Sequence, residues 1–571
     1  PHLPMLHPHR PVALGSLFAV ALLSACSYTS SDSMVFSSGD GSSYAKSTFE
    51  DGIWGMTLKN DSGKSIYRVV GELTPGLEMR SLLHMEPGAE LTIRQTTDGL
   101  SRSLLANPDT AGRPLLTYRE AGAVTTFEIE DQAWYADRLQ DLFDNSSIGA
   151  VKHAEAVLEA EGVEGLIARA AEFESSERAE VCLRAAFAAP DITEQQCLEI
   201  SDAIWNMGYE SSRLSMLEEL SDRHKDNSDL TAALIAGLGD FSSSSHRQDA
   251  IQALADRSLS EANLIALLDA ARDISYDSNR KETLIALAPL HKLEGNWTRE
   301  LVDAASELDY SSSLQEVIES FAKLEVVTDA DWIQLVDATE DISYDSNMAE
   351  TLESLIARMP NSDGPLLAAI NAVENISSSS SQEDVIEALA KRKAMSHTAW
   401  AAVAEACVGI NSDSSRSDSL IEVLSNAPAA TNVHLAVLNA ATSISSSSDF
   451  EDVLLALAPY CATEPGLGVA IAEASDQLSY ESNRADVLVE VVLHCPKKAD
   501  DIDRQLAACA KATESMDTTS HKELVLEQIL DRPKLGRPVL KAVTRALEKV
   551  DYESTRARLQ ERLIKHLVSG A

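Results

Sequence analysis

ISYDSNRKETLIAL, residues 274–287, returns almost unchanged as ISYDSNMAETLESL at residues 342–355, and the distance between the two copies organises the rest of the chain. LSYESNRADVLVEV (478–491) and MGYESSRLSMLEEL (207–220) are close variants. ISSSSSQEDVIEAL (376–389), INSDSSRSDSLIEV (410–423) and ISSSSDFEDVLLAL (444–457) align with them without gaps. With the more divergent copies, the leading apolar anchors are Phe173, Met207, Phe241, Ile274, Leu308, Ile342, Ile376, Ile410, Ile444, Leu478, Met516 and Val550, spaced by 34 residues except for one gap of 33 and one of 38. A fixed period of this length marks a repeat architecture.

Each copy decodes as two short helices. An apolar-periodic segment such as TRELVDAASEL runs up to the anchor, which closes the first helix. The Ser-, Asp- and Asn-rich cluster after it supplies side-chain oxygens to cap the second helix, whose first amides lack intrahelical partners. Ten residues past the anchor stands an aliphatic residue in eleven of the twelve copies, from Leu183 to Leu526, with Gln560 the exception. Helices of about a dozen residues are marginal alone, so stacking on neighbours must make them fold. The expected fold is mainly α: a solenoid of about twelve 34-residue two-helix repeats over residues 131–571.

Upstream the pattern changes. Short alternating runs, GIWGMTLKN, SIYRVVGEL, AELTIRQTT and AVTTFEI, are divided by Asp-Ser-Gly, Pro-Gly and Asn-Pro-Asp clusters, which predicts a small antiparallel β-domain over 48–130. The segment DQAWYADRLQDLF, with Trp134, Leu139 and Phe143 on one face, then opens the helical region. Residues 27–47, rich in Ser and Gly, read as a flexible tether. Residues 1–26 hold Arg10, an apolar run from Val12 to Leu23 and LSAC ending at Cys26. That run is too short to span a bilayer and fits a secretory signal.

The formal net charge is −43, and residues 151–571 carry 36 basic against 72 acidic side chains. Such a surface repels nucleic acid and anionic lipid, and it reads either as a solubilising coat or as a match for a basic partner. Beyond Cys26 there are six cysteines, with no zinc spacing among them. Cys461 and Cys495 lie at equivalent positions of adjacent repeats, about one helix spacing apart, which is too far for a disulfide. Cys407 and Cys509 share another register. These four read as small buried residues, while Cys182 and Cys197, within one repeat, are left free to pair or not.

Several fragments imitate functional motifs. DSGKS (61–65) ends like a phosphate loop but lacks its first Gly and falls in a turn, and Ser43-Tyr-Ala-Lys46 fits S-x-x-K without partner motifs. Neither HExxH nor GxSxG occurs. The series Asp273, Ser275, Asp277, Asn279 and its echo Asp341, Ser343, Asp345, Asn347 alternate oxygens like a calcium loop, but without the mid-loop Gly and distal Glu they read as helix caps. No catalytic residue, cofactor or metal ligand set is expected. The Tyr two residues after the anchor (Tyr209, Tyr276, Tyr310, Tyr344, Tyr480, Tyr552) reads as a packing residue at the turn, with recognition along one edge as the alternative.

The copies resemble HEAT-like α-solenoids, in particular bacterial envelope proteins whose repeats read I-x-S-D-Y-E followed by a V/I-L pair; the Trp-Leu-Gly-Tyr pattern of tetratricopeptide repeats is absent. LSAC resembles the lipobox of bacterial lipoproteins. That resemblance implies diacylglycerol on Cys26, removal of what precedes it and, with Ser27 next rather than Asp, an outer-membrane destination. Together these readings predict a lipid-anchored envelope scaffold that binds a protein with a basic surface. The candidate edge is Tyr276, Asp277, Tyr344, Asp345, Tyr480 and Glu481. A spacer without a specific partner and an accessory to an envelope enzyme are the alternatives.

Overall fold

Eleven of the twelve anchors are buried, and all eleven aliphatic residues ten positions later are fully buried. The hydrophobic register read from the sequence is therefore the register of the core. The computed structural model describes residues 33–37, 44–50, 52–60, 63–173, 176–464, 466–496 and 499–569. The candidate lipidation site Cys26 and the apolar run before it lie outside the described residues. The chain divides into two compact units, 1–260 and 261–571.

The first unit opens with ten antiparallel strands: β1 (Ser33–Ser37), β2 (Tyr44–Glu50), β3 (Ile53–Asn60), β4 (Gly63–Val70), β5 (Leu73–Pro75), β6 (Leu82–Met85), β7 (Glu90–Thr97), β8 (Leu100–Pro108), β9 (Pro114–Glu120) and β10 (Ala123–Val124). Eight form one sheet in the order β1-β2-β3-β4-β7-β8-β9-β10, and β5 pairs with β6 apart from it. The β7–β8 turn is a two-residue loop with Asp98 and Gly99 both at positive φ, the geometry that matches strand twist. Helix α1 (Ile129–Asp144) lies on one face of the sheet. Its Trp134, Leu139, Leu142 and Phe143 pack with Tyr67, Leu91, Ile93, Leu104 and Tyr118. The expected tether over 27–47 is thus corrected at 33–37 and 44–47, while 27–32 and 38–43 lie outside the described residues. Ser33–Ser37 and Tyr44–Glu50 pair with one another, and β2 pairs with β3, so the sheet begins some fifteen residues before the predicted boundary at 48. The sequences of these strands, SMVFS and YAKSTFE, give no strict apolar–polar alternation, so the period that marks a half-buried strand is absent there.

Three helix pairs follow in the first unit: Ala150–Glu172 with Ser176–Phe187, Glu194–Trp205 with Glu210–Ser221, and Ser228–Ala236 with Ser244–Ala255. Nine more fill the second unit, from Glu261–Arg272 with Asp277–Leu287 to Arg537–Glu548 with Glu553–Ser569. Every anchor falls between the two helices of a pair, as the period demands. The fold is mainly α, a helical repeat protein with a small antiparallel sheet at its N-terminal side. The exception at Gln560 has a simple cause: Leu559, one position earlier, is fully buried in its place and Gln560 faces solvent.

Candidate functional site

The turn between the two helices of each pair is where side-chain chemistry concentrates. Three residues past the anchor, at the start of the second helix, stands an acceptor that the sequence reading treated as a local cap or an exposed edge. It is neither. Asp277 takes the backbone N–H of Tyr310 (2.9 Å), and Asp345 takes that of Ser378 (2.7 Å). Asp413 takes those of Ser445 and Ser446 (3.1 and 2.8 Å), and Glu481 those of Asp517 and Thr518. Ser311, Ser379 and Ser447 do the same through their hydroxyls for Ser343, Ser412 and Ser479. Each side chain reaches across to the next pair, so this position is a staple between repeats. Asp277 is only 8% exposed. The acidic half of the candidate edge is therefore structural, and Arg at Asp277 or Asp345 would break the stack rather than merely change its surface.

In the first unit Glu210 has the same role, accepting from the N–H and hydroxyl of Ser242 and from the N–H of Ser243 at 2.7, 2.5 and 3.2 Å. Those bonds, Ser242's hydroxyl first, together with the imidazole of His246, hold its carboxyl at about 2. At Glu481 burial pushes the carboxyl up, but the amides of Asp517 and Thr518 and the ring of His521 outweigh it and bring it to about 2. A carboxyl depressed on folding stabilises above its unfolded value of 4.5, and that contribution fades as pH falls toward 2. The stability gap between the protein and Glu210→Gln should accordingly close on acidification through that window. Urea unfolding at stepped pH measures it, and a gap that stayed constant would mean the bonds do not depend on the charge.

Two donor positions complete the stapling, and both were missed in the sequence. Six residues past the anchor, Arg213, Arg280 and Arg416 each bond the carbonyl of their own anchor and the carbonyl just before the next one, Asp240, Glu307 and Ser443. These are helix C-terminal carbonyls without intrahelical partners, and a cation also favours that end of the dipole. Sixteen residues past the anchor, a donor reaches back to the second helix of the preceding pair: Arg223 to Phe187, Arg257 to Ser221, Arg392 to Ile356, Tyr460 to Leu424, Arg532 to Val492 and His566 to Leu530. In every case the acceptor is the carbonyl fourteen past its anchor. Aligning the copies shows Arg recurring at both positions, a signal that hydrophobic periodicity passes over.

Several of the tyrosines stand well out into solvent. Tyr276, Tyr310 and Tyr344, in three successive pairs, are 69, 67 and 68% exposed, and Tyr480 is similar. For these four the expectation of packing at the turn is overturned. Each stands at the N-cap of its second helix with no side-chain capping bond, whereas Ser378 and Ser412 at the same position do cap. Beside this edge, the second helices of seven consecutive pairs expose an acid eight residues past the anchor: Glu282, Glu316, Glu350, Asp384, Asp418, Asp452 and Asp486. Their crowding is felt by their neighbours. The carboxyl of Glu353 is pushed up by burial and then by Asp384 and Glu350, and that of Glu451 by burial and then by Asp486 and Asp452. An open cleft of about 580 Å³ lies on this face, with Glu353, Asp384, Glu387, Lys391 and Arg392 in its wall.

All six cysteines beyond Cys26 are free, Cys182 and Cys197 included. Burial raises the thiols of Cys182, Cys407 and Cys461 to about 11, 12 and 12, away from the thiolate form that reacts. A buried imidazole–carboxylate contact, His434 Nδ1 to Glu464 Oε1 at 2.7 Å, is sealed from solvent beneath the ring of Tyr460. Among the described residues no group of three or more His, Cys, Asp and Glu side chains is placed to hold a metal ion, and no helix is long and apolar enough to cross a membrane.

No protein-family model matches the chain, and no curated protein does. Among solved structures it is similar to one described as a "Circular tandem repeat protein with novel repeat topology and enhanced subunit contact surfaces", at 14% identity over 77% of this chain and 86% of that one, with a TM-score of 0.12. A superposition that poor bears on neither ancestry nor function.

Proposed function

We propose that the protein is a lipid-anchored scaffold of the bacterial cell envelope, held at Cys26, destined for the outer membrane, whose helical repeats bind another protein through a basic surface. The observation that carries the binding part is the row Tyr276, Tyr310, Tyr344. A Ser at an N-cap stabilises a helix by roughly 0.5–2 kcal/mol relative to a residue that cannot cap, and these repeats forgo it for an exposed aromatic ring. Exposed Tyr suits recognition because it offers a large rigid surface with a polar tip, and beside an acidic row it suits guanidinium and ammonium groups. The acids add long-range attraction, so association should slow as salt rises past a screening length of about 8 Å.

The test uses the sister repeats as a guide. The triple variant Tyr276→Ser, Tyr310→Ser, Tyr344→Ser puts at each position the residue that Ser378 and Ser412 already supply. Thermal stability should hold or rise. A photo-crosslinking side chain at Ser312 should capture a discrete partner in cells in the parent, and capture should fall at least about tenfold in the triple variant, in line with the loss of aromatic anchors. A triple variant that melts lower, or captures equally well, removes the reason for assigning the edge to binding. The anchor is tested separately by mass spectrometry of the membrane-bound protein: an N-terminus at acylated Cys26 is expected, and intact residues 1–25 would refute it.

A further inference from the structure

The sheet of the first unit has a second face. Strand pairing puts Met56, Tyr67, Ile93, Leu104 and Tyr118 in one cross-strand row on the side of α1. The alternate residues point the other way, and among the described residues no helix packs on them. That outer face carries Lys46 on β2, Lys59 on β3, Lys64 and Arg68 on β4, Arg94 on β7 and Arg119 on β9, all exposed. Its acids are Glu50 and Glu90, both in the end row, and Glu90 is taken by Arg68 at 2.5 Å. The other five cations form no ion pair among the described residues. In a chain with 90 acidic and 47 basic residues, six cations gathered on one sheet face stand against the composition. Packing does not account for them, since they touch no core.

We infer that this face lies on an anionic lipid bilayer and orients the protein on the membrane, an inference that rests on the proposed lipid at Cys26. Chain length supports the choice of occupant. Strand β1, at one edge of this sheet, begins at Ser33, seven residues after Cys26. Seven residues span at most about 25 Å even when fully extended, so an acyl chain at Cys26 keeps the sheet close to the headgroups. Strands lie about 4.8 Å apart, which spreads the cations from β2 to β9 over roughly 24 Å, the extent of a surface rather than of a small-ion pocket. One lipid anchor combined with a basic patch is a general way to hold a protein against anionic lipid. Exposed charges farther than about 8 Å from this face are screened at physiological salt. The acidic surface that repels anionic lipid belongs to the repeats and not to this face.

The decisive experiment uses the chain from residue 26 onward carrying Cys26→Ser, so that neither lipid nor the apolar run contributes. It should sediment with phosphatidylcholine vesicles containing phosphatidylglycerol, not with pure phosphatidylcholine, and less as salt rises. Lys64→Glu, Arg94→Glu and Arg119→Glu together should weaken binding at least about tenfold with thermal stability unchanged, since all three side chains are exposed. Equal binding to both vesicle types, or indifference to the triple reversal, would overturn the inference. So would a chain that sediments without vesicles and is released by the same reversal, which would assign the face to the acidic repeats of a second copy. Because this probe carries no lipid, its failure leaves acylation of Cys26 untouched, and an unacylated Cys26 in cells would leave the vesicle result standing.

Discussion

Arg257→Met is expected to destabilise the first unit by roughly 2–5 kcal/mol, because buried carbonyls left without donors cost about 1–3 kcal/mol each. The guanidinium is 5% exposed and donates to the carbonyls of Ser221 (2.6 Å), Arg223 (3.0 Å) and His224 (2.9 Å) and to the hydroxyl of Thr231 (2.9 Å). Ser221, Arg223 and His224 close the second helix of the preceding pair, while Thr231 belongs to the first helix of its own pair, so one side chain ties two repeats together. Methionine keeps most of the apolar stem and removes only the donors, which isolates the hydrogen bonds from the packing. Arg257→Lys should recover little, since an ammonium cannot reproduce a planar fork addressed to several acceptors. Urea unfolding followed by far-ultraviolet circular dichroism reads the change. A loss below about half a kcal/mol, the range of an ordinary surface substitution, would mean that water replaces the guanidinium without penalty and that the sixteen-past-anchor position is not a staple.

Leu352→Ala tests the apolar side of the same architecture. Leu352 is fully buried ten residues past the anchor Ile342, in the helix Asp345–Arg358. Truncation to Ala should cost about 2–5 kcal/mol, the transfer term plus the residual cavity. Where the loss appears matters as much as its size. In an array of nearest-neighbour contacts, stability is a sum of repeat and interface terms, so hydrogen exchange should accelerate first in the pairs flanking Leu352 and leave the repeats near Val550 protected. Uniform loss of protection throughout the second unit would point to a single cooperative core and against independent repeat interfaces. Breaking Asp345 should look similar in exchange, because its carboxylate holds the amide of Ser378 in the next pair. Its effect should be smaller than that of Leu352, since a staple at a half-exposed turn can be replaced in part by water.

The two perturbations separate what the sequence carried from what the tertiary structure added. Local order was legible because it depends on residues near one another in the chain. The anchors and the aliphatic residues ten positions later gave twelve helix pairs in register, since a side chain must return to the same face every turn to be buried. The β-domain was readable wherever strands are half-buried and alternate, as in β4 and β7. It was unreadable in β1 and β2, SMVFS and YAKSTFE, which carry no such alternation.

The candidate edge divided along the same line. The sequence placed Tyr276 and Asp277 side by side at a turn, and nothing in their spacing could show that one faces water while the other reaches 33 residues onward to Tyr310. Which way adjacent polar side chains point is settled by the neighbouring repeat, because the stacked pair supplies both the unpaired amide that draws in the carboxylate and the wall that leaves the ring outside. The basic face of the sheet follows the same rule. Lys46, Lys59, Lys64, Arg68, Arg94 and Arg119 lie scattered over 74 positions in an acidic chain, and only the strand register puts them on one side. By itself the sequence determined the period, the helices and the core positions, all of which follow from the periodicity of one chain. The directions of the polar groups, and so the surfaces available to a partner or a membrane, were decided only when the elements were packed.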